Sequence, residues 1–232
     1  MSNTPVATSY THAFVRAALP TGARRILEIG CGEGDLANRL LQDGLEVVAI
    51  DSDASCVEAA KARGVDARLA EWPAELGGDF DAVLFTRSLH HVHDLAGAVA
   101  AAGRALCPGG RVIAEDFRAE GGTRRSADWY ESMVRELASG GMLTDEADAA
   151  VLIGKQPPAS HDGHALHGSQ AISSALDRQF AVSAAGAAYY FRYLEPCLRD
   201  EGAAQWLLDV ELERIAADEL DPLGRRYVAS AR

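Results

Sequence analysis

The stretch Ile26-Leu27-Glu28-Ile29-Gly30-Cys31-Gly32-Glu33-Gly34-Asp35 constrains the fold more than any other part of the chain. It reads as a short apolar strand, a glycine-dense turn and a helix beginning at Leu36-Ala37. Glycine leaves every second position of the turn without a side chain, so a ligand can lie directly on the backbone. The turn amides and the helix N-terminus then face that ligand, and Glu28 adds a carboxylate at the strand's end. A dinucleotide fingerprint G-x-G-x-x-G would need glycine at 35, where Asp35 stands. A carboxylate ahead of the turn also repels pyrophosphate and suits a cationic, amino-bearing ligand. These residues argue against a phosphate cradle and against a nicotinamide-dependent oxidoreductase.

The apolar runs 24–29 and 46–51 are nearly continuous, as in strands covered on both faces. Strands are expected near 25–30, 46–51, 66–71, 80–86 and 111–117, with helices over about 8–19, 35–43, 54–63 and 94–106. This alternation predicts a doubly wound α/β fold around a mostly parallel sheet. Pro108-Gly109-Gly110 reads as a turn into the fifth strand. Beyond 117 the pattern changes. Two helices separated by Ser139-Gly140-Gly141 are expected over 126–153, then a loop at 154–168 and a helix at 169–178. A strand at 180–183, helices over 190–219 and a last strand at 226–229 complete the reading.

Four motifs occur in order. They are the glycine turn, the strand Val47-Val48-Ala49-Ile50-Asp51, Phe80–Thr86 with Ser88-Leu89-His90-His91-Val92 after it, and Leu106-Cys107-Pro108-Gly109-Gly110-Arg111-Val112. Over roughly residues 20–117 the chain resembles the class I S-adenosylmethionine-dependent methyltransferases. The resemblance implies a Rossmann-like sheet of seven strands whose last two form an antiparallel hairpin at one edge. It also implies S-adenosyl-L-methionine as cofactor, held by Glu28, Gly30, Cys31, Gly32, Asp51, Ser52, Glu71, Trp72, Thr86 and Arg87. A carboxylate at Asp51 suits both hydroxyls of a ribose, although Asp51 or Asp53 could instead cap the next helix. Glu71 and Trp72 suit the adenine, with a core tryptophan as the plainer reading of Trp72. Arg87 pairs either with the cofactor carboxylate or the substrate, or is a surface arginine.

The resemblance divides the chain into a cofactor-binding core with an N-terminal helix (1–117), a helical insertion (118–168), a helix and strand completing the sheet (169–188), a second helical insertion (189–220) and a last strand (221–232). Both insertions would leave from the strands' C-terminal ends, where open α/β sheets bind ligands, and form a cap over the methyl group. Aromatic residues concentrate there (Trp129, Tyr130, Tyr189, Tyr190, Phe191, Tyr193, Trp206), either to line an acceptor pocket or to pack the cap.

Histidines fall in two groups, His90-His91-x-His93 and His161-x-x-His164-x-x-His167. His91 and His164 are the candidate general bases, while His90 and His91 can equally serve structural hydrogen bonds. For the second group a polar loop with satisfied imidazoles ranks ahead of a base. A metal site ranks last, because a spacing of three is awkward off a helix; no metal is expected.

A net charge of −12 from 22 basic and 34 acidic residues repels nucleic acid and anionic membranes. A small-molecule substrate is therefore expected, with no nucleic acid or membrane partner. The 4 cysteines form no C-x-x-C pair, Met1–Tyr10 has no signal-peptide pattern, and no apolar run approaches a membrane span, so a cytoplasmic protein is expected. A regulatory module that keeps the fold without transfer would show a damaged glycine turn or lack Asp51, and neither is seen.

Overall fold

The computed structural model describes residues 5–154, 160–161 and 164–232, and the side chains of all of these except 160, 161, 164 and 165. The first part of the chain runs α1 (Val6–Ala18), β1 (Arg25–Ile29), α2 (Asp35–Gln42), β2 (Glu46–Asp51), α3 (Ala54–Ala62), β3 (Asp66–Leu69), β4 (Phe80–Thr86), α4 (Leu95–Ala105) and β5 (Leu106–Phe117). It continues with α5 (Arg124–Ser139), α6 (Ala149–Gly154), β6 (Ser160–His161), β7 (His164–Ala165), α7 (Ser169–Asp177), β8 (Ala181–Ala187), α8 (Tyr190–Leu194), α9 (Glu201–Ala216) and β9 (Gly224–Ser230). Seven strands form one sheet in the order β3-β2-β1-β4-β5-β9-β8. The pairs β1–β2, β1–β4, β2–β3 and β4–β5 are parallel.

Side-chain alternation explains the continuous apolar runs. Leu27, Ile29, Val48, Ile50, Val83 and Phe85 enter one core with α4 and α7. Ile26, Val47, Ala49, Ala82 and Leu84 enter another on the opposite face, with α1, α2 and α3. A strand buried on both faces has no polar register to show. Helix starts follow local chemistry: Asp53 caps α3 by accepting the Ser55 N–H at 2.7 Å, and Asp94 caps α4 through the Gly97 N–H at 3.0 Å.

Several expectations need correction. Pro108-Gly109-Gly110 does not precede the fifth strand but lies within it. Phe80 pairs with Leu106 and Ala82 with Arg111, so the intervening residues bulge out of the ladder, with Gly109 at φ +84°. The second helix expected within 126–153 is confined to α6, because the glycine turn after α5 runs on into a second turn and Asp148 opens the helix late, accepting the Ala150 N–H at 2.8 Å. In the expected loop 154–168, β6 and β7 form a two-residue antiparallel pair, while 155–159 and 162–163 lie outside the described residues.

By contacts the chain forms two compact units. One holds Thr8–Asp116, His167–Ala185 and Arg226–Arg232; the other holds Phe117–Leu166 and Gly186–Arg225 with the first residues up to Ala7. The second unit is mostly helical and has its own centre. Tyr130, Tyr190 and Phe191 are fully buried, and the Tyr130 and Tyr190 rings lie 5.5 Å apart. Its two chain segments are stitched together by backbone bonds from Thr144 N–H to Cys197 O and from Arg199 N–H to Met142 O, both 2.9 Å. For these three aromatics, then, packing is their visible role. Among the described residues no helix is long and apolar enough to cross a membrane.

Candidate cofactor site

The strand order reverses between β1 and β4, and a crevice opens there at the strands' C-terminal ends. The glycine turn fills one side of it. Gly30 sits at φ +72°, and a Cβ on it would lie 2.5 Å from Ser88 Cβ, so only glycine lets the turn meet the end of β4. The N–H groups of Gly30 and Cys31 donate to Ile50 O at 2.9 and 3.0 Å, which ties the turn to β2. Gly32, at φ +53°, has open space where its side chain would be, and its N–H donates to Asp51 Oδ2 at 2.8 Å. Asp51 Oδ1 accepts the Asp53 N–H at 2.9 Å. Asp53 thus does the capping, and Asp51 braces the turn.

A cavity of about 530 Å³ occupies this crevice. Every cofactor candidate lines it: Glu28 from β1, Gly30, Cys31 and Gly32 from the turn, Asp51 and Ser52 at the end of β2, Glu71 and Trp72 after β3, and Thr86 and Arg87 at the end of β4. His91 lines it as well. Sequence reading missed Thr8 and Thr11 on α1, Glu33 and Asp35 on the turn, and Ser88 and His93. Thr8 and Thr11 share a helix face at a spacing of three, the single signal available for them.

The methyltransferase-domain family matches residues 6–144, more than half of the chain. The chain belongs to that family. Its cofactor is S-adenosylmethionine. An uncharacterised methyltransferase of Mycobacterium tuberculosis is 32% identical over 111 residues, 45% of this chain and 56% of the relative. A ubiquinone biosynthesis O-methyltransferase of Xanthomonas oryzae is 32% identical over 109 residues, 43% of this chain and 46% of the relative. The chain thus spans about half the length of these curated relatives. Among solved structures, an S-adenosylmethionine-dependent methyltransferase from Mesorhizobium loti has a TM-score of 0.59 at 18% identity, covering 94% of this chain and 96% of its own. One from Thermotoga maritima, described as a possible histamine N-methyltransferase, has a TM-score of 0.59 at 14% identity over 97% of this chain and 89% of its own. Both establish the fold. With the family goes the nicotinamide alternative.

The methyltransferase cavity contains polar atoms that fit the two charged ends of an amino acid. Glu28 is 1% exposed; Oε1 accepts the Thr86 hydroxyl at 3.2 Å, while Oε2 is buried with no hydrogen-bond partner. Burial pushes its carboxyl up to about 7, against the lowering effects of Thr86 and Arg87. An ammonium group suits that unpartnered oxygen. Arg87 Nη1 is likewise buried without a hydrogen bond, 3.5 Å from Glu115 Oε1, and the residue sits at φ +62° with its N–H on Glu115 O at 2.7 Å. A carboxylate group suits that guanidinium.

Glu115 braces the same wall, accepting the Thr11 hydroxyl at 2.6 Å and Arg226 Nε at 2.7 Å. Arg226 in turn lies over the Tyr10 ring at 3.9 Å. Burial, followed by Glu28 and Asp51, pushes the Cys31 thiol up to about 12, so it stays a neutral thiol at pH 7 and offers no nucleophile. Trp72 has a double placement. It lines the cavity, yet it is 8% exposed, packs in the core and donates its indole N–H to Ala98 O at 3.0 Å.

The histidines separate by role. His90 is buried with its Nδ1 2.6 Å from Asp116 Oδ1. His91 is exposed and lines the cavity. His167 Nε2 donates to Val92 O at 2.9 Å. His164 has its backbone in β7, but its side chain, like that of His161, lies outside the described part of the structure.

Proposed function

We propose that the protein transfers the methyl group of S-adenosylmethionine to an O, N, S or C nucleophile of a small metabolite. The observation that carries this reading is the one cavity in which Glu28, Asp51, Trp72 and Arg87 meet around a glycine-rich turn. The cofactor supplies a methyl on a sulfonium, a good leaving group without further activation. The protein's part is to bind, orient and exclude water. In this reading Glu28 takes the ammonium, Arg87 the carboxylate, Asp51 the ribose hydroxyls and Glu71 the adenine amino group beside Trp72. His91 accepts the proton of an O–H or N–H acceptor, with His164 as the second candidate. Residues 118–168 and 189–220 carry no cofactor motif.

Thr86-Arg87-Ser88-Leu89 stands where methyltransferases of adenine and amide nitrogens carry an N-P-P-Y-like segment, and the net charge of −12 opposes nucleic acid. A relative named for O-methylation in ubiquinone biosynthesis supports a small acceptor. The test is a metabolite panel screened for S-adenosylhomocysteine release. Turnover of a small molecule is expected, and clear transfer to tRNA or protein with none to metabolites overturns the reading.

The Glu28 carboxyl adds a pH prediction. Its ionised form is the one that holds an ammonium, so cofactor affinity falls as pH drops below about 7. Calorimetry with S-adenosylhomocysteine should show about tenfold weaker binding per pH unit on that limb. Glu28→Gln should bind weakly at every pH and lose the limb. A wild-type affinity that stays flat from pH 8 to pH 5 removes Glu28 from ammonium recognition.

A further inference from the structure

We infer that Asp116 acts through His90 as the positioning residue that holds His91 at the cavity; the inference rests on the reading of His91 as the group that meets the acceptor. Glu115 and Asp116 are adjacent at the end of β5, so their side chains leave opposite faces of the sheet. Glu115 goes to Thr11 and Arg226. Asp116 goes to the short turn Leu89–His91, and both carboxylate oxygens are used there. Oδ1 lies 2.6 Å from His90 Nδ1, and Oδ2 accepts the His90 backbone N–H at 3.2 Å. Asp116 and His90 are 1% and 3% exposed, so this charge-assisted pair is shielded from water. The bond places a hydrogen on Nδ1 and fixes both tautomer and ring plane.

The His90 ring is the surface on which His91 rests: the two ring centroids are 4.1 Å apart, tilted by 45°. The turn is secured from its other side too. His90 O accepts the His167 N–H at 3.0 Å, and the His167 ring donates to Val92 O at 2.9 Å. A buried carboxylate therefore holds a buried imidazole, which backs an exposed imidazole on the cavity wall.

Two substitutions separate the parts of this device. Asp116→Asn removes the charge behind His90. His90→Asn keeps a donor near the Nδ1 position but removes the ring behind His91, and it serves as the test if Asp116→Asn does not fold. The primary readout needs no acceptor: carbon-correlated imidazole spectra of the whole protein. The His91 ring signals should shift and broaden in both variants, while affinity for S-adenosylhomocysteine stays within about twofold of wild type. His91 signals that superimpose on wild type in the folded variants overturn the inference. With an acceptor in hand, Asp116→Asn should lower kcat about tenfold or more at unchanged cofactor KM, and should cost nothing further in a His91→Ala background. If His91→Ala itself turns over at the wild-type rate, the base reading fails instead, and the spectra alone decide the positioning.

Discussion

Asp51→Ala is expected to weaken S-adenosylhomocysteine binding on the order of a hundredfold, about 2.7 kcal/mol. Two losses combine. The substitution removes the carboxylate offered to the ribose, and it frees the Gly32 N–H that Asp51 Oδ2 holds at 2.8 Å. The turn then loses its tie to the residue ending β2, and the remaining amides are less well ordered for a ligand. Asp51→Asn keeps one carbonyl acceptor and should lose less, on the order of tenfold. Folding should survive both changes, because Asp53 rather than Asp51 caps α3. Calorimetry measures the affinity and circular dichroism the fold. An Asp51→Ala protein that binds like wild type would remove Asp51 from the cofactor site.

Glu211→Ala should be among the most destabilising single changes in the helical unit. The side chain is fully buried, and its carboxylate accepts the N–H groups of Tyr189, Tyr190 and Phe191 at 2.6, 3.0 and 2.8 Å, satisfying the start of α8 from within α9. Alanine removes the acceptor these three N–H groups share, at about 1–3 kcal/mol each. A fall of on the order of 10 °C in Tm follows for a chain of this size.

The same residue gives stability a pH dependence. Burial outweighs the three N–H groups and pushes the Glu211 carboxyl up to about 7. A carboxyl raised on folding favours the folded state most below its unfolded value near 4.5, and that contribution is lost as pH rises through 7. The span amounts to on the order of 3 kcal/mol, measurable as denaturation free energy at pH 5 and pH 8. Glu211→Gln mimics the neutral form, keeps one acceptor and should flatten this slope. Glu28, also fully buried and raised to about 7, contributes a second slope of the same sign in the absence of cofactor. A wild-type stability that does not fall between those pH values would contradict both assignments.

Much of the candidate site was legible because its determinants are local. A strand covered on both faces announces itself as an unbroken apolar run, and a turn that must approach its ligand and Ser88 closely has to be glycine. Asp51 ends its strand, and Thr86 and Arg87 lie at the end of theirs. The bulge at Pro108–Gly110 was misread because a Pro-Gly-Gly stretch carries the same local signal whether the strand starts after it or loops out around it.

By itself, the sequence determined the strands, the glycine turn and many of the residues that line the cavity, since these depend on backbone preference and on the period of burial. Tertiary structure alone decided which distant groups meet. Arg226 reaches Glu115 across 111 positions because β9 inserts between β5 and β8. Thr8 and Thr11 become cavity residues through the packing of α1, and Asp116 finds His90 because β5 lies beside β4. A charged side chain has no sequence period that names its partner. The partner is set by which strand becomes its neighbour, and that choice belongs to the assembled sheet.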